Sequence, residues 1–183
     1  MIKAIVFDLG GVIYTIGFAF HKEFTNIREF WNKAKVGEIS NDEFLRLGSE
    51  KLGCDVNKFI NFFWDDNEVV PEMQELVIKL GKEYKIGFLA NLAEEVYKSD
   101  KDLWNFESYG TSVMSFREKV KKPDTEAIDL IIKKLKVEKD EIIFIDDAMK
   151  SIVPYSEYGV KCIKFDNPEQ TIEDLKKFGV EAW

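Results

Sequence analysis

The amino-acid sequence predicts an α/β protein, an open and doubly wound parallel sheet with a small all-helical insertion. Short and nearly continuous apolar runs alternate along most of the chain with segments whose apolar residues recur at helical spacing. Such alternation is typical of βαβ units, which build parallel sheets covered by helices on both faces. Between residues 15 and 70 the alternation stops, and large apolar side chains recur at helical spacing alone.

The first apolar run covers residues 2–7 and ends at Asp8, shortly before Gly10–Gly11. Because its apolar residues are nearly consecutive, it indicates a strand buried on both faces. Similar runs predict further strands at residues 86–90, 142–145 and 160–165, with a weaker candidate at residues 111–115. Helical spacing of apolar residues predicts helices near residues 73–80, 127–135 and 172–178.

These elements divide the chain into two predicted parts. Residues 1–14 and 71–183 form the α/β core, and residues 15–70 form a helical cap inserted after the first strand. The aromatic residues of the cap are expected to pack between its helices, because so small a unit needs large side chains to bury enough surface. A total of 183 residues fits one domain with such an insertion.

Composition excludes several classes of function. With Lys+Arg 26 against Asp+Glu 34 the formal net charge is −8, the wrong sign for a nucleic-acid partner. No apolar run approaches the roughly 18 residues of a membrane span, so no membrane partner is expected. Two cysteines without a C-x-x-C pair and a single histidine favour neither a disulfide scaffold nor a zinc site, and a cytoplasmic location is expected. The oligomeric state and the substrate's identity are left open.

Chemically distinctive side chains follow the predicted strands at the edge where parallel sheets bind ligands. They are Asp8, Asn91, Lys122, Asp146 and Asp147. Clustered carboxylates repel one another and favour a divalent cation between them. Because the candidate ligands are oxygen atoms, Mg²⁺ is expected rather than zinc or copper. Protein-bound Mg²⁺ commonly shares a phosphate oxygen, so the expected partner is a small phosphorylated metabolite.

Each of these residues also has a purely structural interpretation. Asp8 before two glycines fits an ordinary turn, and Asp147 fits the start of a helix. Asn91 fits a turn or a cap equally well. Lys122 is more informative, because it precedes Pro123 at a predicted helix start, where a lysine opposes the helix dipole and suggests that an external anion is bound there.

Four segments in order resemble the motifs of the haloacid dehalogenase-like (HAD) hydrolase superfamily. They are VFDLGGVI at residues 6–13, GFLAN at 87–91, KPD at 122–124 and IFIDD at 143–147. The helical insertion after the first motif resembles the C1 cap of that superfamily. The resemblance covers nearly the whole chain and implies a Rossmann-like core, a helical cap and the activity of a Mg²⁺-dependent phosphatase or phosphotransferase.

The resemblance also implies roles for individual residues. Asp8 would be the nucleophile that forms an aspartyl-phosphate, and Lys122 would neutralise Asp8 and the phosphoryl oxygens. The implied Mg²⁺ ligands are Asp8, the backbone carbonyl of Gly10, Asp147 and Asp146. Asn91 and Gly11 would contact the substrate.

Two positions depart from the family pattern. Gly10 stands where most family phosphatases carry a second Asp as general acid, and Ala90 stands where a Ser or Thr hydroxyl normally binds the phosphoryl group. These departures leave two alternatives open. One is a catalytically impaired domain with a binding or regulatory role, and the other is a 2-haloacid dehalogenase, in which the same aspartate attacks carbon without a metal.

Overall fold

Five parallel strands form one sheet in the computed structural model, which describes residues 1–65 and 67–181, and only the backbone of residues 18–21. The strands are β1 (Ala4–Phe7), β2 (Lys85–Ala90), β3 (Thr111–Met114), β4 (Ile142–Asp146) and β5 (Lys161–Lys164). Their order across the sheet is β3-β2-β1-β4-β5, which places β1 at the centre. The predicted α/β class and the five predicted strands are confirmed, including the weakest of them.

Helices connect the strands. Those of the α/β part are α4 (Pro71–Leu80), α5 (Glu94–Leu103), α6 (Ser115–Glu118), α7 (Thr125–Leu135), α8 (Met149–Glu157) and α9 (Pro168–Lys177). The three predicted helices correspond to α4, α7 and α9. Sequence patterns missed α5, whose residues are mostly charged or polar, and α8, which contains Pro154.

The two faces of the sheet pack against different helices. Ile5 and Phe7 of β1 belong to one apolar cluster with α4 and Leu175 of α9, whereas Ala4 and Val6 belong to a second cluster with α7 and α8. Alternate side chains of a strand point to opposite faces, so consecutive apolar residues in β1 are buried on both sides. The sheet is therefore doubly wound.

Three helices occupy the region between β1 and α4: α1 (Phe18–Ala34), α2 (Asn41–Leu52) and α3 (Val56–Trp64). The Ser40 hydroxyl accepts a hydrogen bond from the Glu43 N–H, and the Asp55 carboxylate accepts one from the Lys58 N–H, so side chains cap the starts of α2 and α3. Between the helices lies an aromatic cluster, whose members are Trp31, Phe44, Phe59 and Phe63.

The chain leaves and re-enters the α/β part at one place. The Thr15 N–H donates to the Glu68 carbonyl at 2.8 Å, and the Val70 N–H donates to the Ile13 carbonyl at 2.8 Å. These bonds hold the beginning and the end of the helical region side by side, next to the loop that follows β1. Among the described helices, none is long and apolar enough to cross a membrane.

Candidate active site

Three carboxylates meet at the carboxyl end of the two central strands. Asp8 directly follows β1, Asp146 is the last residue of β4, and Asp147 comes next. Because β1 and β4 are parallel neighbours, their ends lie at the same edge of the sheet. One carboxylate oxygen from each acid lies within 4.8 Å of the other two, as the strand-end argument predicted.

Lys122 inserts its ammonium group between two of these acids. Its Nζ lies 2.7 Å from Asp8 Oδ1 and 2.6 Å from Asp146 Oδ2. The lysine side chain is only 4% exposed, and Asp146 is fully buried. Charged groups this deeply buried are stable only when they are paired and hydrogen-bonded, so the three side chains form one interdependent unit.

Backbone donors fix the two acids further. The Leu9 N–H donates to Asp8 Oδ1 at 2.8 Å, and the Ala148 N–H donates to Asp146 Oδ1 at 2.7 Å. Such charge-assisted bonds are stronger than neutral ones and orient the carboxylates before any ligand arrives.

Asn91, predicted as a substrate contact, holds the backbone of Lys122. Its Nδ2 donates to the Lys122 carbonyl at 2.8 Å, and its Oδ1 accepts from the Lys122 N–H at 2.8 Å. The following Lys122–Pro123 peptide bond is cis. Asn91 also lines the cavity described below, but its bonds show that it positions the lysine. Local sequence patterns carry no signal for a pairing across 31 positions.

Burial dominates the electrostatics of the site. The pKa of Asp8 is raised to about 7, because burial and repulsion from Asp146 together outweigh the opposing effect of Lys122. Burial and Asp146 also raise the pKa of Asp147, which is partly exposed. For Lys122, burial works against the charge, but the two carboxylates hold its pKa above the usual value. The acids therefore carry more negative charge than one lysine offsets.

The two glycines after β1 differ in the space available for a side chain. Gly11 has φ +81°, and a Cβ built there would lie 2.6 Å from Asp147 Oδ2, so a side chain at Gly11 would displace this carboxylate. The Gly11 N–H donates to the Tyr14 carbonyl at 2.7 Å, so this donor is already used within the loop. At Gly10 a Cβ would meet only Ile16, at 3.8 Å, which leaves room for a side chain.

The donor set fits a hard divalent cation. Its side-chain candidates are carboxylate oxygens, which Mg²⁺ prefers, and they converge on one point. A cation there would offset the burial and the repulsion from Asp146, which together raise the pKa of Asp8 and Asp147. The close approach of Gly11 to Asp147 keeps this space free of an additional side chain.

A cavity of about 270 Å³ opens over this cluster. Its lining includes Asp8, Gly10, Ala90, Lys122 and the two acids at the end of β4, Asp146 and Asp147. Its lining also includes the following apolar side chains from the helical region and α5: Trp31, Phe62, Phe63 and Val96.

The polar residues lining the same cavity that sequence reasoning missed include Tyr14, Asn67 and Asp100. Asp100 is only 2% exposed and accepts a hydrogen bond of 2.6 Å from Asn67 Nδ2. Its position within a highly charged stretch gives no sign of burial, because such stretches usually form a solvated helix face.

Comparison with protein families agrees with this arrangement. The model of the haloacid dehalogenase-like hydrolases matches residues 2–153, which include all four of the strand-end motifs. One curated relative is the mouse acyl-CoA dehydrogenase family member 10, which is 23% identical over 205 aligned residues. That alignment covers 95% of this chain but only 19% of the mouse protein.

Several solved structures share the fold. A HAD family enzyme from Bacteroides thetaiotaomicron, in complex with magnesium and inorganic phosphate, has a TM-score of 0.80 and 21% identity over 91% of this chain and 95% of its own. A predicted HAD-like hydrolase from Porphyromonas gingivalis has a TM-score of 0.79 and 21% identity over 99% of both chains. An L-2-haloacid dehalogenase from Xanthobacter autotrophicus is less similar, with a TM-score of 0.66 and 15% identity over 99% of this chain and 85% of that one.

Substituting Lys122→Met should destabilise the metal-free protein more at high pH than at low pH. The pKa of Asp8, about 7, lies above the roughly 3.9 of an unfolded aspartate. Its ionisation therefore opposes folding increasingly as pH rises through that interval. Without Lys122 this opposition grows, and we expect a loss of about 3–5 kcal/mol near pH 8 and a smaller loss near pH 5.

Urea unfolding in the presence of a chelator measures the loss of unfolding free energy at both pH values. Lys150→Met is the matched control, because Lys150 lines the same cavity but is exposed. Equal losses for the two variants, or a Lys122→Met loss that does not change with pH, would contradict the coupling.

Proposed function

The chain belongs to the haloacid dehalogenase-like hydrolases, and from that membership we propose that it is a Mg²⁺-dependent phosphatase of small phosphorylated metabolites. The observation that carries the proposal is the Lys122 ammonium held between Asp8 and Asp146, with Asp147 beside them. The magnesium and phosphate in the Bacteroides enzyme, which has the same fold, support the same chemistry.

In the proposed reaction an Asp8 carboxylate oxygen attacks phosphorus. The P–O bond to the leaving alcohol breaks, and an aspartyl-phosphate forms. Water then attacks the same phosphorus, which breaks the bond to Asp8, releases inorganic phosphate and regenerates the carboxylate. Lys122 supplies positive charge next to Asp8 throughout, which is the main contribution that a protein makes to phosphoryl transfer.

Four groups would hold the metal: Asp8, the Gly10 carbonyl, Asp146 and Asp147. When bound, Mg²⁺ supplies positive charge that offsets the phosphoryl oxygens and the clustered acids. Asn91, which lines the cavity, would contact the phosphoryl group through the second N–H of its side-chain amide. Gly11 would not contact it, because its N–H already donates to the Tyr14 carbonyl.

The proposed enzyme is selective for good leaving groups. Gly10 has no side chain to protonate a departing alkoxide. Hydrolysis of alkyl phosphates therefore lacks general acid catalysis, which contributes about 10²–10⁴-fold to the rate. Ala90 lines the cavity without the hydroxyl that would bind the phosphoryl group. Acyl and aryl leaving groups depart without a proton, so the hydrolysis of acyl and aryl phosphates is less affected by Gly10.

We propose that residues 15–70 are the cap over a core formed by residues 1–14 and 71–183. The backbone hydrogen bonds between residues 13–15 and 68–70 support this division, because they hold the two connections between cap and core next to each other. Trp31, Phe62 and Phe63 line the same cavity as the acids, so the cap would exclude water and select the substrate. The free thiols of Cys54 and Cys162 support a cytoplasmic enzyme.

Replacing the nucleophile should abolish turnover. We expect Asp8→Asn to lower Mg²⁺-dependent phosphate release by at least about 10³-fold, because an amide neither attacks phosphorus nor binds the cation well. Phosphate release from acetyl phosphate, p-nitrophenyl phosphate and a panel of sugar phosphates measures this. Asp42→Asn, an exposed change in α2, is the matched control and should keep the wild-type rate.

Other outcomes distinguish the alternatives. No phosphate release from any substrate, with Mg²⁺ binding intact, would favour a catalytically impaired domain that binds a ligand. Chloride release from 2-chloropropionate without Mg²⁺ would favour a dehalogenase. Either result would contradict the proposed phosphatase.

Introducing Gly10→Asp should accelerate hydrolysis of alkyl phosphates by about 10²-fold and change acetyl phosphate hydrolysis little. A Cβ at residue 10 has room beside Ile16, and Gly10 lines the cavity, so a carboxyl group there would be available to a substrate. Gly10→Asn is the matched control, because it has the same size and no acidic proton. An equal increase in rate with both variants, or an equal increase on alkyl and acetyl phosphates, would contradict the proposal that Gly10 slows hydrolysis by removing a proton donor.

A further inference from the structure

The cavity contains a second charged centre, separate from the carboxylates at the strand ends. Asp100 of α5 is 2% exposed and lines the cavity together with Asn67. The Asn67 side-chain amide donates to Asp100 Oδ1 at 2.6 Å, which fixes the orientation of the carboxylate. The proposed phosphoryl-transfer step uses neither residue.

Hydrogen bonds on both sides of α5 hold Asp100 in place. The Tyr14 hydroxyl lies 2.8 Å from the Asp100 carbonyl oxygen and 3.0 Å from that of Trp104, which ties α5 to the loop that follows Asp8. The Ser99 hydroxyl donates to the Phe63 carbonyl at 3.1 Å, which ties α5 to α3. The separation between Asp8 and Asp100 is therefore built into the fold.

No cation compensates Asp100 among the described residues that line the cavity. Two lysines are present there, but Lys122 is paired with Asp8 and Asp146, and Lys150 is exposed. The pKa of Asp100 is raised to about 7, because burial and the charge of Asp8 outweigh the opposing hydrogen bond from Asn67. A buried carboxylate in this position is costly unless a bound ligand provides positive charge.

Aromatic side chains line the same cavity. Trp31 and Phe63 are stacked with ring centroids 6.5 Å apart, and Phe62 adds a third ring to the lining. The faces of such rings attract organic cations, and the attraction strengthens when water is excluded. A cavity lined by both a buried carboxylate and aromatic rings is thus suited to an ammonium group carried on an apolar body.

We propose that Asp100, Asn67 and these aromatic rings bind an organic ammonium group, so that the substrate is a small phosphate ester of an amino alcohol. This inference rests on the proposed phosphatase function. The phosphate would lie at Asp8 and Lys122, and the cationic nitrogen would pair with Asp100. A cavity of about 270 Å³ suits an ester with few heavy atoms.

The proposed substrate also reduces the need for the proton donor that is absent at Gly10. Hydrolysis breaks the P–O bond, transfers the phosphoryl group to Asp8 and then to water, and releases the amino alcohol, whose oxygen takes a proton from solvent. A positive nitrogen near that oxygen stabilises its developing negative charge. Such an alcohol leaves more easily than an uncharged one, so it depends less on a proton donor at residue 10.

A pair of isosteric esters tests the inference. Phosphocholine carries a quaternary nitrogen where 3,3-dimethylbutyl phosphate carries an uncharged carbon. We expect the wild-type protein with Mg²⁺ to hydrolyse phosphocholine with a kcat/KM about 10- to 100-fold higher, since close charge pairs contribute at least this much to recognition. Asp100→Asn, which keeps the size of the side chain and an acceptor for Asn67, should abolish the preference.

Asp102→Asn is the matched control for Asp100→Asn. It makes the same chemical change two residues along α5 at an exposed position, so the preference should persist. Equal kcat/KM for the two esters in a wild-type protein whose turnover depends on Asp8 would overturn the ammonium site and leave the phosphatase proposal standing.

Calorimetry with choline and its isostere 3,3-dimethylbutan-1-ol gives a readout that needs no turnover. Choline binding that is at least about 10-fold tighter than that of the isostere, and that Asp100→Asn removes, would support the ammonium site even if no ester were hydrolysed. That combination would contradict the phosphatase proposal alone. Equal affinity for both alcohols would overturn the ammonium site.

Discussion

The buried ammonium group of Lys122 between Asp8 and Asp146 is the interaction on which the rest of the site depends. The two acids come from different strands, and the lysine comes from a loop held by Asn91, so the arrangement forms only when the sheet is complete. Buried carboxylates without this lysine would oppose folding. In the proposed reaction the same unit couples stability to the chemistry, because the charge that would bind the phosphoryl group also neutralises Asp8 in the absence of substrate.

The site combines a fully retained charge cluster with two missing auxiliary groups. Gly10 and Ala90 remove a proton donor and a hydroxyl, whereas the acids and the lysine are all in place. Such a site can still hydrolyse a substrate whose leaving group departs without a proton donor from the protein. An ester whose leaving group is stabilised by its own positive charge satisfies that condition, and Asp100 lines the cavity where such a charge would be paired.

The sheet and its strand-end acids could be predicted because each depends on local pattern and one topological rule. Apolar runs that end in Asp8 and Asp146–Asp147 indicate buried parallel strands, and parallel strands bring their carboxyl ends together. The bonds of Asn91 to Lys122 and the pairing of Asn67 with Asp100 were not predictable in this way. Both join residues that are more than 30 positions apart. The first depends on how the loop before α7 is placed, and the second depends on how α5 is placed.

Beryllofluoride adds to a carboxylate nucleophile in the geometry of an aspartyl-phosphate, so its binding tests most directly whether Asp8 receives a phosphoryl group. Fluorine NMR of the full chain with beryllofluoride and Mg²⁺ measures this without any knowledge of the substrate. We expect bound fluorine signals in the wild-type protein that disappear in Asp8→Asn and in the absence of Mg²⁺. No bound signal in the wild-type protein, or the same signal in Asp8→Asn, would contradict the assignment of Asp8 as the nucleophile.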